Sequence, residues 1–186
     1  MRTLVLPLAA LAIAFAQPAA AQEAPPPLEI GAVAPDFELP GATRYGLLEQ
    51  PVRLSDFRGD VVVLAFFYRA RTKGSTVQMH AYRDQYAQTF NLGRNLTLIA
   101  ISADSISALE SWARDEDFPF LMASDADLAV ARQYGALAGR GGLTNRNLFV
   151  VGTDGRIAHR AVPFREIDPT AYTELGEALK KLLPEE

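Results

Sequence analysis

Cysteine is absent from all 186 residues, and histidine occurs only twice, as His80 and His159. The first absence removes disulfide cross-links, thiolate nucleophiles and dithiol exchange together. The second leaves no His/Cys cluster at a metal-ligand spacing, so neither a metal centre nor any other cofactor is expected. No sign of charge dominates: 18 Lys and Arg stand against 22 Asp and Glu, net −4. Nothing here forms the basic footprint that nucleic acid requires. A long apolar run occurs only near the start, at Leu4–Ala16.

That run reads as an address. Met1-Arg2 is a short basic n-region, Leu4–Ala16 an h-region interrupted by Pro7, and Ala19-Ala20-Ala21 a small-residue cleavage site. Residues 1–21 are therefore expected to be a cleaved secretory signal, placing the mature chain in the periplasm or outside the cell, with no membrane attachment afterwards. Cleavage would take one Arg and no acid, moving the net charge from −4 to −5. Residues 22–29 form a Pro-rich linker, extended and mobile by composition. Residues 30–186 make one domain on size, with 49% hydrophobic content to fill a core.

Along that domain, Val61–Phe67 is a continuous, β-branched and aromatic run and predicts a buried strand. A polar turn, Arg69–Gly74, leads to a helix expected from about Ser75 to Phe90. Met79, Tyr82, Tyr86 and Phe90 lie on its apolar face, and Gln78 and Arg83 on its polar one. Leu96–Ser102 is a second buried strand, followed by a helix capped at Ser105. A short strand lies within Phe118–Met122, and Asp125 or Asp127 caps the next helix. Gly135–Thr144 is a glycine-rich loop without the flanking Lys-Ser/Thr of a phosphate loop. Asn147–Val151 and Arg156–Val162 form a hairpin about Thr153-Asp154-Gly155, and a last helix spans roughly Pro169–Leu183. Strands alternating with helices require parallel pairing, and the late hairpin adds antiparallel pairing. The sum is a thioredoxin-like three-layer α/β/α sandwich with a mixed central sheet.

Several stretches, taken in order, resemble the peroxiredoxins of the alkyl hydroperoxide reductase and thiol-specific antioxidant family. They are Gly31-x-x-Ala34-Pro35-Asp36-Phe37, Leu54-Ser55-Asp56-Phe57-Arg58-Gly59, Pro119-Phe120 with Asp125 and Tyr134-Gly135, and Arg146 with Phe149-Val150-Val151. The resemblance covers about residues 30–182 and implies a peroxiredoxin-type N-terminal extension and an antioxidant oxidoreductase ancestry. The family's active-site pattern, Pro-x-x-x-Thr-x-x-Cys, falls on Tyr68, Thr72 and Ser75. Thr72 and Arg146 are kept, Tyr68 stands for the proline, and Ser75 stands where the family has its peroxidatic cysteine. The resemblance also leaves a homodimer open.

A serine hydroxyl is far less acidic than a thiol and has no comparable oxidation ladder, so Ser75 cannot serve as a peroxidatic nucleophile. The expected function is a binding or interaction module for an unknown protein partner or for a small anion or carboxylate. The pocket would be built from Thr72, Ser75, Arg146 and Arg71 at a helix start. A plainer reading makes Thr72 and Ser75 helix caps and the bases a solvated loop. Two other functions stand beside these. If position 75 of the natural chain is Cys, the protein is a thiol peroxidase. A serine hydrolase is the remote alternative, lacking a Gly-x-Ser-x-Gly elbow and a base placed beside Ser75.

Overall fold

The computed structural model describes residues 25–139 and 142–183; the expected signal peptide lies outside them. Two short strands, β1 (Glu38–Leu39) and β4 (Val52–Arg53), pair with each other. Between them in sequence, β2 (Gly41–Thr43) and β3 (Gly46–Leu47) form a hairpin. The central strand β5 (Val61–Phe66) is followed by helix α1 (Lys73–Asp84), which breaks at Gln85 before the short α2 (Tyr86–Thr89). Then come β6 (Leu96–Ser102), α3 (Ile106–Asp115), β7 (Leu121–Ser124) and α4 (Ala129–Gln133). Strands β8 (Leu148–Val151) and β9 (Ile157–Ala161) and helix α5 (Pro169–Lys180) complete the order.

The main sheet runs β3-β2-β7-β6-β5-β8-β9. The β5–β6 and β6–β7 pairs are parallel, whereas β8 lies antiparallel to β5 and β2 antiparallel to β7. This is the expected mixed sheet. Alternation along β5 distributes the core: Val61, Val63 and Ala65 face α1, α3 and α5, and Val62, Leu64 and Phe66 face α4 and the entry segment. Because every residue of β5 is buried on one side or the other, its sequence reads as an unbroken apolar run.

Caps fall where their chemistry requires. Ser105 Oγ accepts from the Ala108 amide at the start of α3, and Asp168 accepts from the Thr170 amide ahead of Pro169 in α5. Both candidate acids before α4 are used: Asp127 accepts from Ala129 N, and Asp125 from Val130 N and Ala131 N. Burial holds the Asp125 carboxyl above its ordinary range despite those two amides.

The end of the Pro-rich linker is not loose, contrary to its composition. Arg160 Nη1 donates to the Leu28 carbonyl at 2.9 Å and pairs with Glu29 at 2.9 Å. Gly135, at φ +62°, lets the Pro26 carbonyl approach so closely that a Cβ would lie 2.3 Å from it.

Candidate functional site

The site forms where β5 ends. Parallel β5 delivers its C-terminal end to the 68–72 turn, and antiparallel β8 begins at that same end, with Ala65 opposite Leu148 and the Phe66 amide donating to the Asn147 carbonyl. Arg146, just ahead of β8, is thereby carried to the first turn of α1. The turn itself is anchored from β6: Asp104 Oδ2 accepts from the Ala70 amide at 2.7 Å and from Ser102 Oγ at 2.9 Å. Thr144 Oγ1 donates to the Phe67 carbonyl on the other side.

Helix α1 starts at Lys73, earlier than expected, with Thr72 as N-cap residue and Ser75 inside the first turn. The Thr72 side chain makes no capping bond to the helix backbone. Its Oγ1 lies 2.9 Å from the Arg69 carbonyl and 3.0 Å from Ser75 Oγ. Each hydroxyl has one proton. The carbonyl can only accept, so Thr72 donates to Arg69 and Ser75 donates to Thr72. Ser75 Oγ then accepts from Arg146 Nη2 at 3.5 Å, a long contact. Behind it, Arg146 Nε donates to Gln78 Oε1 at 3.2 Å, and Gln78 Nε2 donates to Tyr82 OH at 3.1 Å. Burial raises the Tyr82 phenol far above its ordinary range, so it stays protonated.

The structure thus brings together Thr72, Ser75 and Arg146, as expected, and joins them into one hydrogen-bonded chain. Tyr68 is half exposed at the lip of the turn. Gln78, placed on the polar face from its sequence, is 0% exposed and is the link between Arg146 and Tyr82.

Two expectations change. Arg71, offered as a ligand-binding base, sits at φ +61° and turns away to α3, bonding Asp115 at 2.5 Å and Ser111 at 3.2 Å. Its charge is met there, on the surface. Arg146, for its part, already has a carboxylate. Glu166, from the turn between β9 and α5, places Oε1 3.3 Å from Arg146 Nη1, with both side chains about four-fifths buried. Glu166 had no signal in the sequence, being one of two acids in the turn Arg165-Glu166-Ile167-Asp168. A Cβ on Gly74 would lie 2.6 Å from Glu166 Oε1 and 2.7 Å from Arg146 Nη2, so the pair rests directly on the glycine of the first helical turn. There the carboxylate also meets the positive end of the α1 dipole.

The hydrolase arrangement is not assembled. His80 Nε2 lies 2.9 Å from Glu116 Oε2 and its ring packs against Phe118. His159 is on β9 opposite Val150. Ser75, fully buried, spends its proton on Thr72. A base would need that proton aimed at itself.

Comparison with known proteins fits this geometry. Residues 30–160 match the AhpC/TSA family. Peroxiredoxin Bcp of Escherichia coli (strain K12) is 32% identical over 139 residues, which span 72% of this chain and 85% of that protein. The putative peroxiredoxin bcp of Haemophilus influenzae is 36% identical over 109 residues, 59% of this chain and 66% of the other. Among solved structures, peroxidoxin BcpB from Mycobacterium tuberculosis superposes with a TM-score of 0.72 at 27% identity, covering 84% of this chain and 99% of its own. The hydrogen-bonded shell at the start of α1 and these relatives lead to one conclusion: the chain belongs to the AhpC/TSA family of peroxiredoxins, as a member without a thiol to oxidise.

Proposed function

We propose that this protein is an exported, non-catalytic binding module whose pocket takes a small oxyanion or the carboxylate of a ligand or protein partner. The observation that carries the reading is the Arg146–Glu166 pair seated on Gly74. The pocket that would stabilise a thiolate in the family has lost its own nucleophile, and an internal carboxylate stands on the guanidinium in its place. Charge balance then dictates how an outside anion enters. It displaces Glu166, gaining the Arg146 interaction and the α1 dipole, while Glu166 moves into water. Affinity in the resting protein is lowered by the cost of that displacement, as for any ligand whose competent state is a minor one.

Calorimetric titration with phosphate, sulfate and acetate tests this on the wild-type chain, Glu166→Gln and Arg146→Ala. Removing the internal carboxylate raises anion affinity by about tenfold, if the displacement costs about 1.4 kcal/mol. Arg146→Ala abolishes the heat. Absence of binding to both the wild-type chain and Glu166→Gln overturns the proposal.

A further inference from the structure

A groove of about 680 Å³ runs between α1–α2 and α5, on the outer side of Glu166. One wall carries Val77 and Ala81 of α1 and Gln85 at its break, at spacings of four residues; the other carries Ile167, Tyr172 and Gly176. Its size falls in the range of about 300–1,000 Å³ typical of small-molecule sites. Two features of the walls are unexplained by the protein's own packing. Ile167 is 80% exposed at the rim. Gly176 interrupts the middle of α5, where glycine costs about 1 kcal/mol relative to alanine. A Cβ there would meet nothing within 4 Å, and the φ is not in the left-handed region. No neighbour or backbone geometry requires a glycine; its effect is to keep the groove open.

The charges around the groove say what enters. Glu177 and Lys180 close on each other at 3.2 Å and offer no net charge. The Tyr172 hydroxyl is already given to the Glu166 carbonyl at 2.7 Å. Glu166 uses Oε1 on Arg146, and its Oε2 has no hydrogen-bond or ion-pair partner among the described residues. The groove carries apolar residues on both walls among polar ones such as Gln88, Thr89 and Thr173. Glu166 in its lining keeps a carboxylate oxygen with spare lone pairs, which accepts a donor, and a charged donor best.

We propose that the α1–α5 groove is a binding site for a small amphiphilic cation, with an apolar body lying over Ala81 and Gly176 and an ammonium head on Glu166 Oε2. This site meets the anion pocket at Glu166, which lines the groove and pairs with Arg146, but neither proposal requires the other. An ammonium approaching from the groove shares Glu166 with Arg146, so a carboxylate between two cations replaces a carboxylate beside one.

The test uses a matched series of one apolar chain with three heads: octylamine, octanol and octanoate. Each is titrated below its micellar concentration into the full chain, followed by calorimetry and by NMR shifts of α1 and α5 amides. The amine binds about tenfold more tightly than the alcohol, as expected for a charge-assisted contact, and octanoate binds most weakly. Gly176→Leu, which has room for its side chain and improves helix propensity, fills the groove and removes binding of both amine and alcohol. Glu166→Gln brings the amine down to the level of the alcohol. Equal affinity for amine and alcohol, preference for octanoate, absence of binding, or indifference to Gly176→Leu would each overturn the proposal. Thermal melts of both variants confirm that they are folded before either result is read. Absence of anion binding to both the wild-type chain and Glu166→Gln, with amine binding intact, would refute only the anion proposal.

Discussion

Glu166 reaches the first turn of α1 because residue 74 has no side chain: Oε1 occupies ground that lies 2.6 Å from where a Cβ would be. The acid, the glycine and Arg146 form one packing unit, although they come from three separate parts of the chain.

Gly74→Ala is therefore expected to lever Glu166 off Arg146. Helix propensity alone favours alanine by up to about 1 kcal/mol. Overpacking costs typically 1–3 kcal/mol. The variant is predicted to melt at or below the wild-type temperature by a few degrees, on the scale of about 2–4 °C per kcal/mol for a chain of this size. Calorimetric melting decides, and a rise in Tm would show that the pair yields without cost.

Ser75→Cys returns a thiol to the start of α1. The wild-type chain is expected to consume no peroxide with a thiol reductant, having no thiolate to attack with. The variant is expected to gain one oxygen per chain on exposure to hydrogen peroxide, as sulfenic acid, visible by mass and by dimedone trapping. Glu166→Gln in the same background speeds that reaction, because a neighbouring carboxylate disfavours the thiolate. Turnover by the serine form would overturn the loss of thiol chemistry.

Gln78→Ala strands two partners, the largely buried Arg146 Nε and the buried Tyr82 hydroxyl. Leaving buried groups unsatisfied costs about 1–3 kcal/mol each, so the variant should lose about 3 kcal/mol in denaturant unfolding. Tyr82→Phe alone removes only one end and costs less. Equal losses would mean that the Arg146 contact contributes nothing.

His159 provides a pH test away from the site. Burial pushes its pKa below the ordinary value of 6.5, with Glu174 opposing. The folded state thus prefers the neutral ring, and the unfolded chain takes up the proton first as pH falls. The contribution to stability is complete above pH 6.5. It declines below that and levels off once the folded form is also protonated. His159→Gln flattens this part of the stability–pH curve; an unchanged slope would place the titration elsewhere.

The sequence reveals much of the fold because the fold depends on local signals. The unbroken apolar run of β5, the Ser105 cap, the Thr153-Asp154-Gly155 turn and Pro169 at the first position of α5 each specify their element where it stands. Thr72, Ser75 and Arg146 were legible as a set only through resemblance, because a spacing pattern links them and their local chemistry does not. Gln78 misled, since a polar residue on a helix reads as exposed until a buried arginine is known to need it. Arg71 misled likewise: its left-handed backbone turns a base of the right turn towards the wrong neighbour. Glu166 was invisible. Its role depends on β9 and α5 bringing a distant turn onto Gly74, and no local composition encodes that.

The position of β8, antiparallel and inserted between β5 and β9, has a consequence for biogenesis. Thr72, Gly74 and Ser75 leave the ribosome long before Arg146, and Arg146 before Glu166. The shell therefore cannot preassemble on the first βαβ unit; it closes only when the C-terminal strands dock and the long loop-closure entropy has been met. A chain in which Arg146 is paired with Glu166 is one whose sheet is complete, so this ion pair serves as a built-in marker of the finished fold.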